Sequence, residues 1–190
     1  MSSKWRTIQS DVLVKDRWIE LRADRCITPG GAEISPYYVV RYPDWVHVVA
    51  LTTDDRIVLV RQYRHGVGEI VLEVPGGVVD ATDADFELGA RRELEEETGY
   101  TSSKWMAITS LYPSPASQTN KVHVFLALDA VCNGNRDLDE GEEGLEVLTL
   151  PIDEVTRGLK DGLLGHSLHV AAVLMALAFA GKLDPARVTA

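Results

Sequence analysis

One short segment limits the folds open to this chain more than any other, because its apolar and charged residues fall on separate faces of a predicted helix. Residues 84–98 have helical spacing and are followed by Gly99, a residue typical of a helix end. Phe86, Ala90 and Leu94 form one apolar stripe along this helix. Such a stripe is stable only against another layer, so the segment predicts a helix packed on a sheet.

The acidic face of the same helix indicates chemistry. Glu93, Glu96 and Glu97 are separated by steps of three and four residues, which places their carboxylates side by side. Three like charges destabilise the helix unless a counter-charge is present. Clustered carboxylates suit Mg²⁺ or Mn²⁺, ions that also bind substrate phosphates. A solvated acidic face is the alternative that this spacing alone leaves open.

Predicted strands lie on both sides of this helix in the sequence. Residues 18–23 and 37–42 form a predicted antiparallel hairpin, and a second hairpin joins 46–52 to 57–63. Further predicted elements are strands at 122–129 and 147–150 and helices at 152–161 and 167–180. We therefore expect an α/β fold with an N-terminal β appendage at residues 1–43 and a core domain at residues 44–190.

Composition narrows the classes of partner. The net charge of −10, with 29 acidic and 19 basic residues, disfavours nucleic acid as a partner. The N-terminal residues lack the apolar run of a secretory signal, and the longest apolar stretch, 170–181, is shorter than the roughly 20 residues of a membrane span. We therefore expect a cytoplasmic location without a membrane partner. The two cysteines, Cys26 and Cys132, match no disulfide framework or zinc site.

The residues around the acidic face resemble the Nudix box, G-x5-E-x7-R-E-U-x-E-E-x-G-U, in which U is an aliphatic or aromatic residue. All nine positions at 92–100 match the end of this pattern. The resemblance implies that Glu93 and Glu97 are the main metal ligands and that Glu96 assists them. It also implies that the carbonyl of Gly76 supplies a further ligand.

The N-terminal half of the box departs from the pattern. One extra residue separates Gly77 from Arg92, and Ala84 occupies the position of the first glutamate of the box. Asp83 or Asp85 is the predicted substitute for that glutamate. The resemblance implies a structural role for it, so the departure concerns loop geometry more than metal binding. Arg92 is expected to orient the carboxylates by ion pairing.

Several segments outside the box resemble the ADP-ribose pyrophosphatase branch of this family. They are Arg-Gln-Tyr-Arg at 61–64, Leu-Glu-Val-Pro-Gly-Gly at 72–77, Pro115 placed 15 residues after Tyr100, and the Gly-rich segment at 162–167. The resemblance implies an α/β/α sandwich around a mixed β-sheet. It also implies a homodimer that the N-terminal antiparallel β appendage helps to build.

The same resemblance implies a set of substrate contacts. Arg41 and Arg64 are expected to hold the pyrophosphate, since guanidinium groups match phosphate oxygens, and Glu73 is a further expected substrate-binding residue. Trp18 and Tyr37 lie where family members stack the adenine, often from the partner subunit. A core position in the N-terminal hairpin is the alternative for Trp18.

The acidic loop at residues 139–147 resembles the mobile loop that carries a catalytic glutamate. In this loop Glu143 is followed four residues later by Val147, just before the next strand, and this spacing favours Glu143 as the general base. Glu142 is the second choice, and a solvated loop without a catalytic role is the alternative. The chain also contains five histidines, which we interpret as packing or surface residues rather than general bases. They are His47, His65, His123, His166 and His169.

These features together predict an enzyme. The expected reaction is Mg²⁺-dependent hydrolysis of the pyrophosphate of ADP-ribose, which yields AMP and ribose 5-phosphate. The box leaves the base and sugar open, so GDP-mannose, UDP-sugars or another dinucleotide are alternative substrates. A catalytically silent Nudix-like module that senses ADP-ribose is the alternative from another class. The intact Glu93, Glu96 and Glu97 argue against that module.

Overall fold

A computed structural model of the chain describes residues 3–80 and 82–184. The strands in these ranges are β1 (Arg6–Lys15), β2 (Glu20–Ile27), β3 (Glu33–Arg41), β4 (Trp45–Thr52), β5 (Arg56–Arg64), β6 (Glu69–Glu73), β7 (Gly76–Val78), β8 (Tyr100–Thr101), β9 (Lys104–Leu111), β10 (Val122–Cys132) and β11 (Glu146–Pro151). The helices are α1 (Phe86–Thr98), α2 (Ile152–Gly158) and α3 (Ser167–Phe179), with short 3-10 turns at Glu140–Glu142 and Leu159–Asp161.

The first of two compact units contains residues up to 44 together with 112–122. Its antiparallel sheet has the order β1-β2-β3, and segment 112–122 joins it through hydrogen bonds between Val40 and the backbone of Ser117 and Thr119. The predicted hairpin corresponds to β2 and β3. Strand β1 was not predicted, because all ten of its residues are exposed and no buried face leaves a pattern in the sequence.

The second unit contains residues 45–111 and the described part of 123–190. The main path of its sheet has the order β11-β5-β4-β10-β8, and β6, β7 and β9 pair with β5, β4 and β10. The predicted hairpin of β4 and β5 is confirmed by their antiparallel register. The short strands β6 and β7 were not predicted, although β7 carries the glycines of the box.

Strand β4 explains how helices cover both faces of this sheet. Val46 and Val48 are fully buried in a core that includes Leu94 of α1. The residue between them, His47, points to the other face and contacts His169 of α3. Because alternate residues of a strand face opposite sides, the sheet lies between α1 and α3. The predicted α/β/α sandwich around a mixed sheet is confirmed.

The ends of the helices depart slightly from the sequence predictions. Helix α1 begins at Phe86 rather than at residue 84, because the Asp85 carboxylate accepts a hydrogen bond from the Leu88 N–H as its N-cap. It ends as predicted at Thr98 and is followed by Gly99, which has a φ of 70°. Helix α2 ends at Gly158, three residues before the predicted end, and continues as a 3-10 turn. None of the described helices combines the length and apolar character needed to cross a membrane.

Candidate active site

Three carboxylates meet in the second unit. Glu93 and Glu97 lie one turn apart on α1 and are only 7% and 2% exposed. Glu142, at the end of the 3-10 turn before β11, places a carboxylate oxygen beside them, and the three ligand atoms lie within 4.8 Å of one another. Glu96 is on the same helix but outside this group, and its carboxylate pairs with Arg92. We call Glu93, Glu97 and Glu142 the carboxylate cluster.

The glycines before α1 let the backbone approach this cluster closely. The Gly76 N–H donates a hydrogen bond of 2.9 Å to Glu97 Oε2. A Cβ atom at Gly76 would lie 2.1 Å from the Val46 carbonyl oxygen, and one at Gly77 would lie 2.6 Å from Glu93 Oε2. Gly76 therefore excludes a side chain, and a side chain at Gly77 would displace the Glu93 carboxylate. The absence of both side chains lets β7 bring its peptide groups against the glutamates.

Arg92 connects the cluster to the loop before the helix. Its guanidinium nitrogens lie 2.9 Å from both Glu93 and Glu96, 3.1 Å from Asp83 and 3.6 Å from Asp80. Of the two predicted substitutes for the first box glutamate, Asp83 therefore contacts Arg92, whereas the other, the residue at position 85, caps the helix. Arg92 is placed to hold several carboxylates in one arrangement.

Burial makes the cluster electrostatically unfavourable without a cation. It raises the pKa of Glu93 to about 7, against the opposing effect of Arg92. It also raises the pKa of Glu97 well above its usual range, although the Gly76 N–H opposes this shift. A divalent cation would favour the ionised forms, and oxygen donors are the ligands that Mg²⁺ and Mn²⁺ prefer. The donor set therefore fits a hard divalent metal.

The acidic loop places Glu142 in the cluster, whereas Glu143 is exposed. Glu142 and Asp139 form a capping box. The Glu142 carboxylate accepts a 3.0 Å hydrogen bond from the Asp139 N–H, and the Glu142 N–H donates to the Asp139 carbonyl. The Asp-x-x-Glu spacing of such a box is visible in the sequence and could have drawn attention to Glu142.

A cavity of about 510 Å³ lies beside the cluster within the second unit. Gly76 and Gly77 line it, as do Arg64 and Glu73. The Arg64 guanidinium lies 2.7 Å from the buried Glu73 carboxylate but remains 46% exposed. Glu73 also accepts a 3.3 Å hydrogen bond from Gln62. Arg64 is thus oriented by Glu73 and keeps donors available to a ligand.

Three histidines that we interpreted as packing or surface residues come together at this cavity. His47 of β4, His166 before α3 and His169 of α3 all line it. Burial lowers the pKa of His47 to about 3 and also lowers the pKa values of His166 and His169. All three rings are therefore neutral at pH 7. The only local signal in the sequence is the three-residue spacing of His166 and His169.

The other predicted substrate contacts belong to the first unit. Trp18 is 56% exposed, so it is not a core residue, and the Arg17 guanidinium lies 4.3 Å from its ring. Tyr37 is half-buried and donates its hydroxyl hydrogen to a backbone carbonyl of the same unit. Arg41 is exposed opposite Glu20 in the ladder of β2 and β3.

Comparison with known families assigns both parts of the chain. The NUDIX domain model matches residues 41–169. The chain belongs to the Nudix family. The model of the nucleoside diphosphate sugar hydrolase N-terminal domain matches residues 5–40 of this Nudix protein, which include β1 and β2 and nearly all of β3.

Individual relatives agree with this assignment. The Nudix chain is 34% identical to the ADP-ribose pyrophosphatase of Bacillus subtilis (strain 168), over 80% of this chain and 81% of the relative. It is 31% identical to a methanol dehydrogenase activator of Bacillus methanolicus, over 88% of this chain and 90% of the relative.

A solved structure supports the fold of the Nudix chain. The crystal structure of an ADP compounds hydrolase superposes with a TM-score of 0.82 at 20% identity, and the match covers 96% of this chain and 99% of the other. Nudix hydrolases generally need a divalent metal, in agreement with the donor set of the carboxylate cluster. The chain is therefore a Nudix hydrolase, and its carboxylate cluster offers the donor set that such a metal requires.

Proposed function

We propose that this Nudix hydrolase cleaves the pyrophosphate bond of ADP-ribose and releases AMP and ribose 5-phosphate. The observation that carries the proposal is the convergence of Glu93, Glu97 and Glu142 beside the backbone of Gly76. The similarity to an ADP-ribose pyrophosphatase supports the choice of substrate. A nucleoside diphosphate joined to a sugar is also the substrate class expected from the N-terminal domain.

Mg²⁺ is the proposed cofactor, with Mn²⁺ as a substitute. When bound, such a cation neutralises charge on the pyrophosphate oxygens and lowers the pKa of a water molecule. We propose that Glu93, Glu97 and the Gly76 carbonyl hold it, and that Glu96 assists. Arg92 keeps the carboxylates of Glu93 and Glu96 in position, since it contacts both at 2.9 Å.

The two loop glutamates have different proposed roles. Glu142 contributes to the carboxylate cluster and is a proposed metal ligand. Glu143, which the register of the sequence favours, remains the proposed general base that takes a proton from the attacking water. Because Glu143 is exposed in this structure, that role requires the loop to bring it to the substrate.

We propose the remaining substrate contacts from the resemblance to the ADP-ribose pyrophosphatase branch and from the solvent exposure of the side chains. Arg41 and Arg64 bind phosphate oxygens, and Glu73 keeps Arg64 oriented through its 2.7 Å ion pair. Trp18 and Tyr37 stack the adenine, for which the exposed indole of Trp18 is suited.

We also propose that residues 1–43 act as a dimerisation appendage of a homodimer. Strand β1 is an edge strand with ten exposed residues, and such a strand offers unpaired backbone groups to a second chain. The expected cytoplasmic location and the expected lack of nucleic-acid and membrane partners stay predictions from composition.

Product formation tests the proposal. The panel is ADP-ribose, GDP-mannose, UDP-glucose and a diadenosine polyphosphate, each with Mg²⁺ and with EDTA. We expect Mg²⁺-dependent release of AMP from ADP-ribose at the highest kcat/KM. Preference for another compound would retain the reaction class and replace the substrate. No turnover of any compound would favour a ligand-sensing module.

A matched pair of variants tests the site itself. Glu97→Gln should abolish turnover while the fold is kept, because a buried metal ligand loses its charge. Glu95→Gln is the control, since Glu95 lies on the same helix, is exposed and bonds only Asn133 among the described side chains. Full activity of Glu97→Gln would contradict the proposed mechanism.

A further inference from the structure

The histidine group formed by His47, His166 and His169 lies outside the carboxylate cluster and has no role in the proposed chemistry. The Nε2 atoms of His47 and His169 are 3.1 Å apart, a hydrogen-bond distance. The rings of His166 and His169 have centroids 4.3 Å apart. His47 and His169 are only 7% and 4% exposed.

Each ring of the histidine group has a buried nitrogen without a partner. The Nδ1 atoms of His47, His166 and His169 have no hydrogen-bond partner. The nearest recorded carboxylate oxygen, Oε1 of Glu73, is 4.0 Å from Nδ1 of His169, beyond hydrogen-bond reach. Buried polar atoms in proteins are normally paired, so three such nitrogens at one cavity form a site that polar groups of a ligand would satisfy.

The hydrogen bond between the two imidazoles determines what they offer. A neutral imidazole carries one N–H, and of the two Nε2 atoms one donates and the other accepts. The ring that donates through Nε2 therefore has a bare, accepting Nδ1, and the ring that accepts has an N–H at Nδ1. His47 and His169 thus offer one donor and one acceptor together, whichever ring donates.

The cavity wall is otherwise largely apolar. Trp45, Val67, Val71 and Val78 line it together with the histidine group. Apolar walls with a few polar groups are typical of sites that bind small organic ligands. Gly76 also lines the cavity, so a ligand whose phosphates are bound at the carboxylate cluster can extend into it.

We propose that the histidine group binds the hydroxyl groups of the sugar linked to the diphosphate of the substrate. This inference rests on the proposed function and identifies the side chains that form hydrogen bonds with the sugar. A hydroxyl both donates and accepts a hydrogen bond, which matches the paired donor and acceptor of His47 and His169. The C–H groups of a sugar ring suit the apolar wall.

Charge favours a sugar over a further anionic group at this position. The buried Glu73 carboxylate lies 4.0 Å from Nδ1 of His169. Its negative charge would repel a further phosphate placed at the histidine group. Arg64 is the cation at the cavity, and it is already paired with Glu73. The phosphates of the substrate are therefore expected at the cluster and Arg64, with the sugar beyond them.

Product inhibition tests this assignment, because the two products separate the two ends of the substrate. Inhibition by ribose 5-phosphate and by AMP is measured in the wild type, His169→Leu and His169→Gln. We expect about a tenfold weaker inhibition by ribose 5-phosphate in His169→Leu, the effect of lost hydrogen bonds, and no change with AMP. His169→Gln keeps a donor and an acceptor and should partly restore the inhibition.

His123→Leu is the matched control. His123 is also buried, at 8% exposure, but it stacks on Phe86 at 3.6 Å and does not line the cavity. Thermal unfolding of each variant verifies that it folds. A change confined to AMP would overturn the inference by assigning the cavity to the nucleoside. Equal inhibition by ribose 5-phosphate in the wild type and His169→Leu would overturn it by making the histidines packing residues.

Direct binding separates this inference from the proposed function. If the wild type does not hydrolyse ADP-ribose, the proposed function fails. Calorimetric titration with ribose 5-phosphate then still compares the wild type with His169→Leu. Weaker binding in the variant would support a sugar site, and absence of binding to the wild type would overturn it.

Discussion

At the scale of single residues, Arg92 is the charged partner that stabilises the carboxylates of Asp83 and Glu93. Arg92→Gln should lower the free energy of unfolding of the metal-free protein by about 2 kcal/mol, because Asp83 and Glu93 lose a charged partner. Denaturant unfolding with EDTA measures this loss. The control is Arg61→Gln, whose exposed pair with Glu146 should contribute less than about 1 kcal/mol. Equal losses in the two variants would contradict the role of Arg92.

The loop glutamates can also be separated one residue at a time. Glu143→Gln should lower kcat by about 10²- to 10⁴-fold without changing the Mg²⁺ requirement, the effect of losing a general base. Glu142→Gln should instead raise the Mg²⁺ concentration needed for half-maximal activity, because Glu142 belongs to the cluster. Rates measured across a Mg²⁺ titration distinguish the two. The reverse pattern would exchange the two roles.

At the scale of elements, the close approach of β7 to α1 is the feature most sensitive to a single added atom. Gly77→Ala should weaken metal binding by about 10- to 100-fold, because its Cβ would displace the Glu93 carboxylate 2.6 Å away. Metal titration followed by activity or calorimetry measures this. Gly30→Ala, in the turn between β2 and β3, is the control, since its Cβ has contact only at 4.0 Å. Unchanged metal affinity in Gly77→Ala would contradict this account.

Sequence patterns predicted the elements whose structure depends on residues close together in the chain. Helix α1 and the side-by-side placement of Glu93 and Glu97 follow from helical spacing alone. The pairing of His47 with His169 could not be predicted, because it joins residues 122 positions apart through the packing of α3 on β4. The position of Glu142 depends on a three-residue turn, which leaves little periodicity to detect.

At the scale of the whole molecule, the cluster makes stability depend on pH and metal together. Burial penalises the ionised form of Glu93 and raises its pKa from 4.5 to about 7, so the folded protein loses stability as pH rises from 4.5 through about 7. The histidines act in the opposite direction, but only below their ordinary pKa of 6.5, since burial lowers their folded values. Metal-free protein should therefore become less stable between about pH 6.5 and about pH 8.

Thermal unfolding with EDTA and with Mg²⁺ at these two pH values tests that expectation. Mg²⁺ should raise the unfolding temperature by more at the higher pH, because it stabilises the ionised glutamates. Glu93→Gln is the control and should weaken the pH dependence of the metal-free protein, while Glu97, whose pKa burial also raises, keeps its own contribution. The same pH dependence in the variant would exclude Glu93 as its origin.

The proposed homodimer is a second property of the whole molecule. Val12→Lys combined with Val14→Lys should convert the dimer to monomer, because both valines are about half exposed on the edge strand β1. Light scattering after size-exclusion chromatography measures the mass. Val131→Lys is the control, since Val131 is 57% exposed on β10 outside the first unit. A dimer that persists in the double variant would contradict the role of β1.

Strand β4 ties the two halves of the proposed site to each other. The backbone of His47 pairs with Gly76, while its neighbours Val46 and Val48 support the helix that carries the glutamates. A mutation that shifts this strand to suit a new sugar would therefore also move the metal site. Descendants of this enzyme should change their substrate preference through side chains such as His166 and His169, and leave the path of the strand unaltered.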